Sequence, residues 1–272
     1  MTSSAKTIDR LEPAFHRLVD FFYAHLPQPQ PDPGRMKACR IVSHRGEHDN
    51  RKVMENTLPA FFAARRHGIW GIELDIRWTR DGIPVVLHDP DLLRLYRTRQ
   101  RVCDLSLAEI QSRFPLIPAL SEVIAAFGKD LHLMIEIKKE NTKDQRQQGQ
   151  ILADLLSPLT AQEDYHLLSL NPEVFDNLDN FPSAAFLPIA QLSFRRFSDL
   201  ALTRRYGGIT GHYLFITRRM IRRHQKSMQK TGTGFIGSRK ALFRELNRGV
   251  DWIFSNDAAK LQALVNGNKL RH

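Results

Sequence analysis

Short runs of apolar, often β-branched residues punctuate this chain at 40–43, 71–76, 84–87, 131–139, 165–170, 186–191, 208–211, 233–237 and 252–255. Runs of that length bounded by turn residues predict buried strands. Between most of them apolar positions recur every three or four residues, which predicts helices over 58–68, 120–127, 144–159, 197–206, 217–229 and 238–248, with another starting at Pro172. Asn56 and Thr57 stand where a cap belongs before the first of these helices, and Gly68 where it should stop. Asp81-Gly82 between the second and third runs is a hairpin signal, so residues 84–88 should fold back antiparallel on the strand that holds Glu73. With that arm set aside, eight strands alternate with helices. This predicts an α/β fold, a parallel (β/α)8 TIM barrel whose functional residues gather at the carboxyl ends of its strands. Residues 89–117 are irregular and basic apart from a helical pattern at 107–114, and read as an excursion over those strand ends.

Ahead of the barrel, Phe15, Leu18, Phe22 and Leu26 recur at helical spacing and Pro13 suits a first turn, so an amphipathic helix is expected over 13–26. Residues 27–35, PQPQPDPGR, read as an extended, proline-stiffened connector. The expected organisation is an N-terminal helix and connector over 1–38 and a barrel domain over 39–272. Covering an apolar surface of the barrel is the favoured role for the helix; membrane docking is disfavoured because its polar face is not rich in lysine.

At 272 residues and 42% apolar composition, one such domain can bury a large core. No apolar run reaches the roughly 18 residues of a membrane span, and no secretory leader pattern opens the chain. Cys39 and Cys103 are too few for a disulfide framework and lack zinc-site spacing, which predicts reduced thiols in a cytoplasmic protein. Lysine and arginine number 40 against 29 acidic residues, a formal charge of +11, so phosphate esters, acidic headgroups or nucleic acid should be attracted. The densest steps, Arg195-Arg196, Arg204-Arg205, Arg218-Arg219 and Arg222-Arg223, lie in or beside expected helices, where solvated faces explain them. No nucleic-acid signature accompanies them. A small anionic molecule is the favoured partner, peripheral contact with an anionic membrane a lesser expectation, and nucleic acid is disfavoured.

The candidate chemistry sits at strand ends. His44, Arg45 and Gly46 follow the first run, Glu73 and Asp75 lie in the second, and His88 and Asp89 close the third. Side chains alternate along a strand, so Glu73 and Asp75 aim both carboxylates at one place. Buried together they repel unless a cation lies between them, and a hard divalent ion on oxygen ligands resolves this. Glu136 and Lys138, again two apart in an apolar strand, are a candidate third metal ligand and a candidate phosphate contact. Each residue alone has a plainer explanation. A histidine after a strand is commonly a hydrogen-bonded core residue, and Glu73 with Asp75 could pair with the many arginines. Their co-occurrence is hard to explain by packing, because buried charge is costly.

His44-Arg45-Gly46, Glu55-Asn56-Thr57-Leu58-Pro59-Ala60-Phe61, Glu73-Leu74-Asp75-Ile76, the TRDGIPVVLHD stretch from Thr79 to Asp89, and Glu136-Ile137-Lys138 together resemble the glycerophosphodiester phosphodiesterase family. The likeness is dense over 40–139 and looser beyond, through Gly249 to Ser255. It implies a barrel in which Glu73, Asp75 and Glu136 hold a divalent cation, His44 and His88 act as general acid and base, and Arg45 and Lys138 meet the phosphate. Carboxylate ligands suit Mg2+ or Ca2+ better than zinc. Four places depart from the family pattern. Met54 replaces a usual proline, Ser169-Leu170 a Ser-Phe pair, Phe235-Ile236-Gly237-Ser238 a WTVN-like strand, and Ser255-Asn256-Asp257-Ala258 a Thr-Asp-x-Pro. They spare the metal and histidine set and fall on the expected substrate pocket.

The leading expectation is metal-dependent hydrolysis of glycerophosphodiesters such as glycerophosphocholine or glycerophosphoethanolamine to sn-glycerol 3-phosphate and an alcohol. A lysophospholipase D or sphingomyelinase D-like action on lipids is the runner-up, motivated by the N-terminal helix, the basic surface and the altered late motifs. A non-catalytic anion- or membrane-binding barrel comes third, since none of the costly charged residues is missing.

Overall fold

In the computed structural model, which describes residues 23–140, 145–191 and 193–267, nine strands form one sheet. They are β1 (Arg40–His44), β2 (Gly71–Trp78), β3 (Pro84–Val86), β4 (His132–Ile137), β5 (Tyr165–Ser169), β6 (Phe186–Ala190), β7 (Gly208–His212), β8 (Lys230–Gly234) and β9 (Trp252–Ser255). Parallel pairing runs β1, β2, β4 and on through β9, which returns to β1 and closes the eight-stranded TIM barrel. The arm is also present, with β3 antiparallel to β2 at Ile76↔Val86 and Trp78↔Pro84.

Alternation on the strands sorts the side chains into two layers. Ile72, Leu74 and Ile76 of β2 pack outward with Phe61 and Ala64 of the helix Leu58–Arg66, each fully buried aliphatic contributing about 1.5–3 kcal/mol. Glu73 and Asp75 are thereby turned to the interior. A separate interior cluster of Val42, Met134, Leu168, Leu187, Trp252 and Phe254 fills the barrel. The excursion after β3 has a small core of its own, Val85, Leu87, Leu92, Val102, Leu105, Ile110 and Ile117. Its helix Leu107–Arg113 opens with a Ser106–Glu109 capping box.

Several boundaries differ from the sequence reading, each for a local reason. β8 lies at Lys230–Gly234, earlier than the 233–237 expected, because it is built from Thr231, Gly232, Thr233 and Gly234, small residues that an apolar pattern overlooks. Smallness is required there: a Cβ on Gly232 would stand 2.8 Å from the Phe254 ring and 2.9 Å from Thr210 Cγ2. The helix expected at 197–206 is Phe194–Thr203, and the segment from Pro172 is a 3-10 helix, Pro172–Asn177. A helix at Ala258–Val265 was not expected at all.

The expected helix at 13–26 falls mainly outside the described residues. Within the expected connector, Pro33–Lys37 is helical, since Asp32 caps it by accepting from Arg35 N at 3.0 Å and Pro33 takes the first position. This segment runs along the helix Arg239–Arg248: Arg35 Nη1 donates to Asn247 O at 2.9 Å and Asn247 Nδ2 to Pro29 O at 2.8 Å. No described helix is long and apolar enough to cross a membrane.

Candidate active site

Strand register builds an acidic cluster. Asp75 on β2 is the direct neighbour of Glu136 on β4, and Glu73 sits two residues back on the same face. All three are buried, and one carboxylate oxygen from each lies within 4.8 Å of the others. Lys138 Nζ stands 2.6 Å from Asp75 Oδ1 and 2.5 Å from Glu136 Oε1, and Arg45 Nε 3.2 Å from Asp75 Oδ2. Burial, with Asp75 and Glu136 alongside, raises the Glu73 carboxyl well above the usual carboxylate range. Burial acts the same way on Asp75 but is overcome by Lys138 and Arg45, which hold it well below that range. Neighbouring acids driven in opposite directions mark more negative charge than the local cations offset. Three converging oxygen donors with a charge excess fit a hard divalent cation.

The turn after β1 aims Arg45 at this cluster. Arg45 (φ 60°) and Gly46 (φ 76°) both adopt the left-handed region, and a Cβ on Gly46 would lie 2.8 Å from Ala60 Cβ, so glycine is required. Asn56 (φ 57°) completes the fold-back: its N–H donates to Arg45 O at 2.9 Å and its Nδ2 to Asp75 Oδ2 at 2.8 Å. Arg45 and Asn56, two non-glycine residues held in the left-handed region beside one carboxylate, are the kind of backbone strain that functional sites hold.

His44 closes β1 on the other side of Glu73. Burial, and then the adjacent Arg45, push its pKa down to about 3, so the imidazole is neutral near pH 7. Its Nδ1–H donates to Asn256 Oδ1 at 2.6 Å, leaving Nε2 as the acceptor 3.7 Å from Glu73 Oε2. Phe235, itself at φ 66°, meets the ring edge-on at 5.1 Å. Two departures from the family pattern thus both land on this histidine.

His88 follows β3, whose pairing with β2 returns it to the acids; Leu87 N donates to Asp75 O at 3.0 Å. Its Nδ1 is 2.7 Å from Asp89 Oδ1. Asp89 Oδ2 accepts from Arg94 Nε at 2.6 Å, and Arg94 reaches Glu55 at 2.6 and 3.0 Å. Glu55 in turn accepts from Arg45 Nη1 at 2.9 Å. Burial would raise the Glu55 carboxyl, but Arg94 and Arg45 hold it far below its usual value. A continuous line of alternating charges therefore joins His88 to Arg45.

All seven residues singled out from the sequence, His44, Arg45, Glu73, Asp75, His88, Glu136 and Lys138, meet at the carboxyl end of the barrel around this cluster. The sequence gives Glu55, Arg94 and Asn256 no role in the site, and it offers Asn56 only as a helix cap, a place that Thr57 takes. Glu55-Asn56 lies within a motif already noticed, whereas Arg94 sits in a basic irregular stretch with no local signal.

Residues 44–178 match the model of the glycerophosphoryl diester phosphodiesterase family. The chain is 35% identical over 112 residues to human glycerophosphodiester phosphodiesterase 1, a stretch covering 36% of this chain and 33% of that protein. It is 39% identical over 110 residues to a glycerophosphodiester phosphodiesterase of Caldanaerobacter subterraneus, covering 36% and 44%. The chain thus spans less than half the length of these relatives. Its fold is that of an Oleispira antarctica phosphodiesterase solved with the product sn-glycerol-3-phosphate, at TM-score 0.70, 21% identity, and 88% and 97% coverage. A Thermotoga maritima glycerophosphodiester phosphodiesterase gives TM-score 0.71 at 22% identity, with 83% and 98% coverage. With the family model spanning the two histidines and all three carboxylates of the cluster, residues 44–178 of the chain belong to the glycerophosphoryl diester phosphodiesterase family.

Proposed function

We propose that this protein hydrolyses glycerophosphodiesters to sn-glycerol 3-phosphate and an alcohol, with a divalent cation, Mg2+ or Ca2+, held by Glu73, Asp75 and Glu136. The observation that carries the reading is the buried triple of carboxylates beside two cations and two imidazoles. A phosphodiester resists attack because its anionic oxygens repel a nucleophile. The bound ion would supply Lewis-acid stabilisation of charge on the phosphoryl oxygens. Arg45 and Lys138 add fixed donors for the same oxygens. Both now pair with the acids, so phosphate binding exchanges those partners. His44 and His88 divide the proton transfers, one taking the proton of the attacking oxygen and the other giving one to the leaving alcohol. Asn256 holds the His44 tautomer, and Asp89 orients His88. Free Cys39 and Cys103 accord with a cytoplasmic setting.

Purified protein incubated with glycerophosphocholine and glycerophosphoethanolamine should release glycerol 3-phosphate with Mg2+ or Ca2+ and none after chelation. Absence of release with every divalent ion tried would defeat the reading. Lysophospholipase D or sphingomyelinase D-like action is favoured by one observation: half-buried Phe194, Phe215 and Phe235 stand at the ends of β6, β7 and β8, with Phe235 against His44. Turnover of lysophosphatidylcholine well above that of glycerophosphocholine would support it; equal or lower turnover would remove it.

A further inference from the structure

A second basic feature lies outside the barrel mouth. The helices Arg218–Lys226 and Arg239–Arg248, the loop after β7 and Gln28 of the N-terminal segment enclose a cleft of about 400 Å³, whose other lining residues are Leu214, Ile216, Thr217, Arg218, Arg244 and Arg248. None of these residues belongs to the acidic cluster or the histidine pair.

Among the described residues its charge does not balance. Glu245, fully buried, accepts from Arg248 Nη1 at 2.7 and 2.8 Å and also pairs with Arg244. Both arginines donate to Tyr213 O, at 3.1 Å from Arg248 and 3.5 Å from Arg244, which fixes their guanidiniums at the cleft wall. Arg218 is exposed and has no ion-pair partner among the described residues. Three guanidiniums therefore face one carboxylate. Burial, and the repulsion of Arg244 and Arg218 against the pull of Glu245, lower the pKa of Arg248. The helix Arg218–Lys226 starts at the cleft, with Thr217 as its cap and no acid in its first turn, so its dipole adds further positive potential. Basic residues at that end are disfavoured within the helix itself and favoured only by an external anion.

We propose that this cleft is a second anion site that takes a phosphate group bearing an organic substituent. Forked guanidinium donors match phosphate oxygens, and a doubly charged phosphate offsets the excess of two positive charges. The cleft is larger than a bare phosphate needs, and half-buried Leu214 gives the substituent an apolar contact. Leu214 N also donates to His212 Nδ1 at 3.1 Å at the end of β7, so the cleft abuts the barrel mouth. The assignment does not depend on the hydrolytic reading.

The same phosphate chemistry could come from a soluble ester or a lipid headgroup, and the test separates them. Inorganic phosphate and glycerol 3-phosphate are titrated calorimetrically into the full chain, and binding to phosphatidylcholine vesicles with and without phosphatidic acid is followed by sedimentation. Arg218→Ala and Arg218→Glu change an exposed side chain; Arg244→Gln is a second, independent removal of one cleft cation. Binding in either arm that the variants weaken by about tenfold or more, the loss of one charge-assisted contact, supports the site, and the responding arm names the source. Hydrolysis of a soluble diester should stay unchanged in Arg218→Ala. Equal binding by the parent and all three variants, or no binding in either arm, overturns the proposal.

Discussion

The two ends of the barrel handle buried polar groups in opposite ways. At the carboxyl end Glu73, Asp75 and Glu136 keep charge in the interior by assembling Lys138, Arg45, Glu55 and Arg94 around it. At the amino end His132 and His166 avoid charge. His132 Nδ1–H donates to Glu163 O at 2.8 Å, and its Nε2 accepts from His166 Nδ1–H at 2.7 Å. His132 stacks on Trp70 at 4.4 Å and His166 meets Trp252 edge-on at 5.0 Å. Burial, with Lys230 and Arg40 nearby, lowers their pKa values to about 4 and about 2. Burial alone favours the neutral form at both ends. What separates a structural plug from a reactive site is whether the fold supplies counter-charges.

This contrast can be broken at several points, the most damaging first. Asp75→Asn removes the acid shared by the proposed ion, Lys138 and Arg45, and should lower kcat/KM by roughly a thousandfold or more, since such an ion contributes several kcal/mol. Divalent-ion affinity measured on the same variant should fall as well; retained affinity would contradict the ligand set. His44→Ala or His88→Ala should cost roughly 10² to 10⁴ in kcat with metal binding intact. If both variants keep full turnover, acid-base work by this pair is excluded. Arg94→Ala breaks the line from His88 to Arg45 and should reduce kcat about 10- to 100-fold, with substrate KM and melting temperature little changed, the range for residues that orient others. A loss confined to melting temperature would make Arg94 a purely structural bridge.

The smallest effect belongs to the amino end. The folded pKa values of His132 and His166 lie below the unfolded value near 6.5, so below that pH the unfolded chain binds protons that the folded chain refuses. Stability present above pH 6.5 is therefore lost as pH falls toward 4, by up to about 1.4 kcal/mol per pH unit for each imidazole. His166→Phe should flatten the dependence of melting temperature on pH across this window. Parallel curves for the parent and variant would show that the pair is not what senses acid.

Much of this was legible in one dimension. The strand runs at 40–43, 71–76 and 131–139 matched because large apolar residues marked them, and Asp81-Gly82 announced the β3 arm. β8 was displaced because Thr and Gly carry no such mark, and their fitness for burial depends on Phe254 and Thr210 filling the space from neighbouring strands. Glu73 and Asp75 were readable as a pair because strand alternation is a local rule. Arg94 was not, since its partners Glu55 and Asp89 lie 39 and 5 residues away along the chain.

The sequence alone determined most of the element types, the barrel, the family likeness and the seven polar residues at strand ends, because periodicity and short motifs are properties of neighbours. Only the tertiary structure decided that Asn256 and Phe235 from the last strands stand on His44, that Arg94 connects both halves of the site, and that His132 and His166 pair at the other end. Those contacts exist because closing the barrel brings distant strand ends within hydrogen-bond reach, and no spacing within a strand encodes which ends will meet.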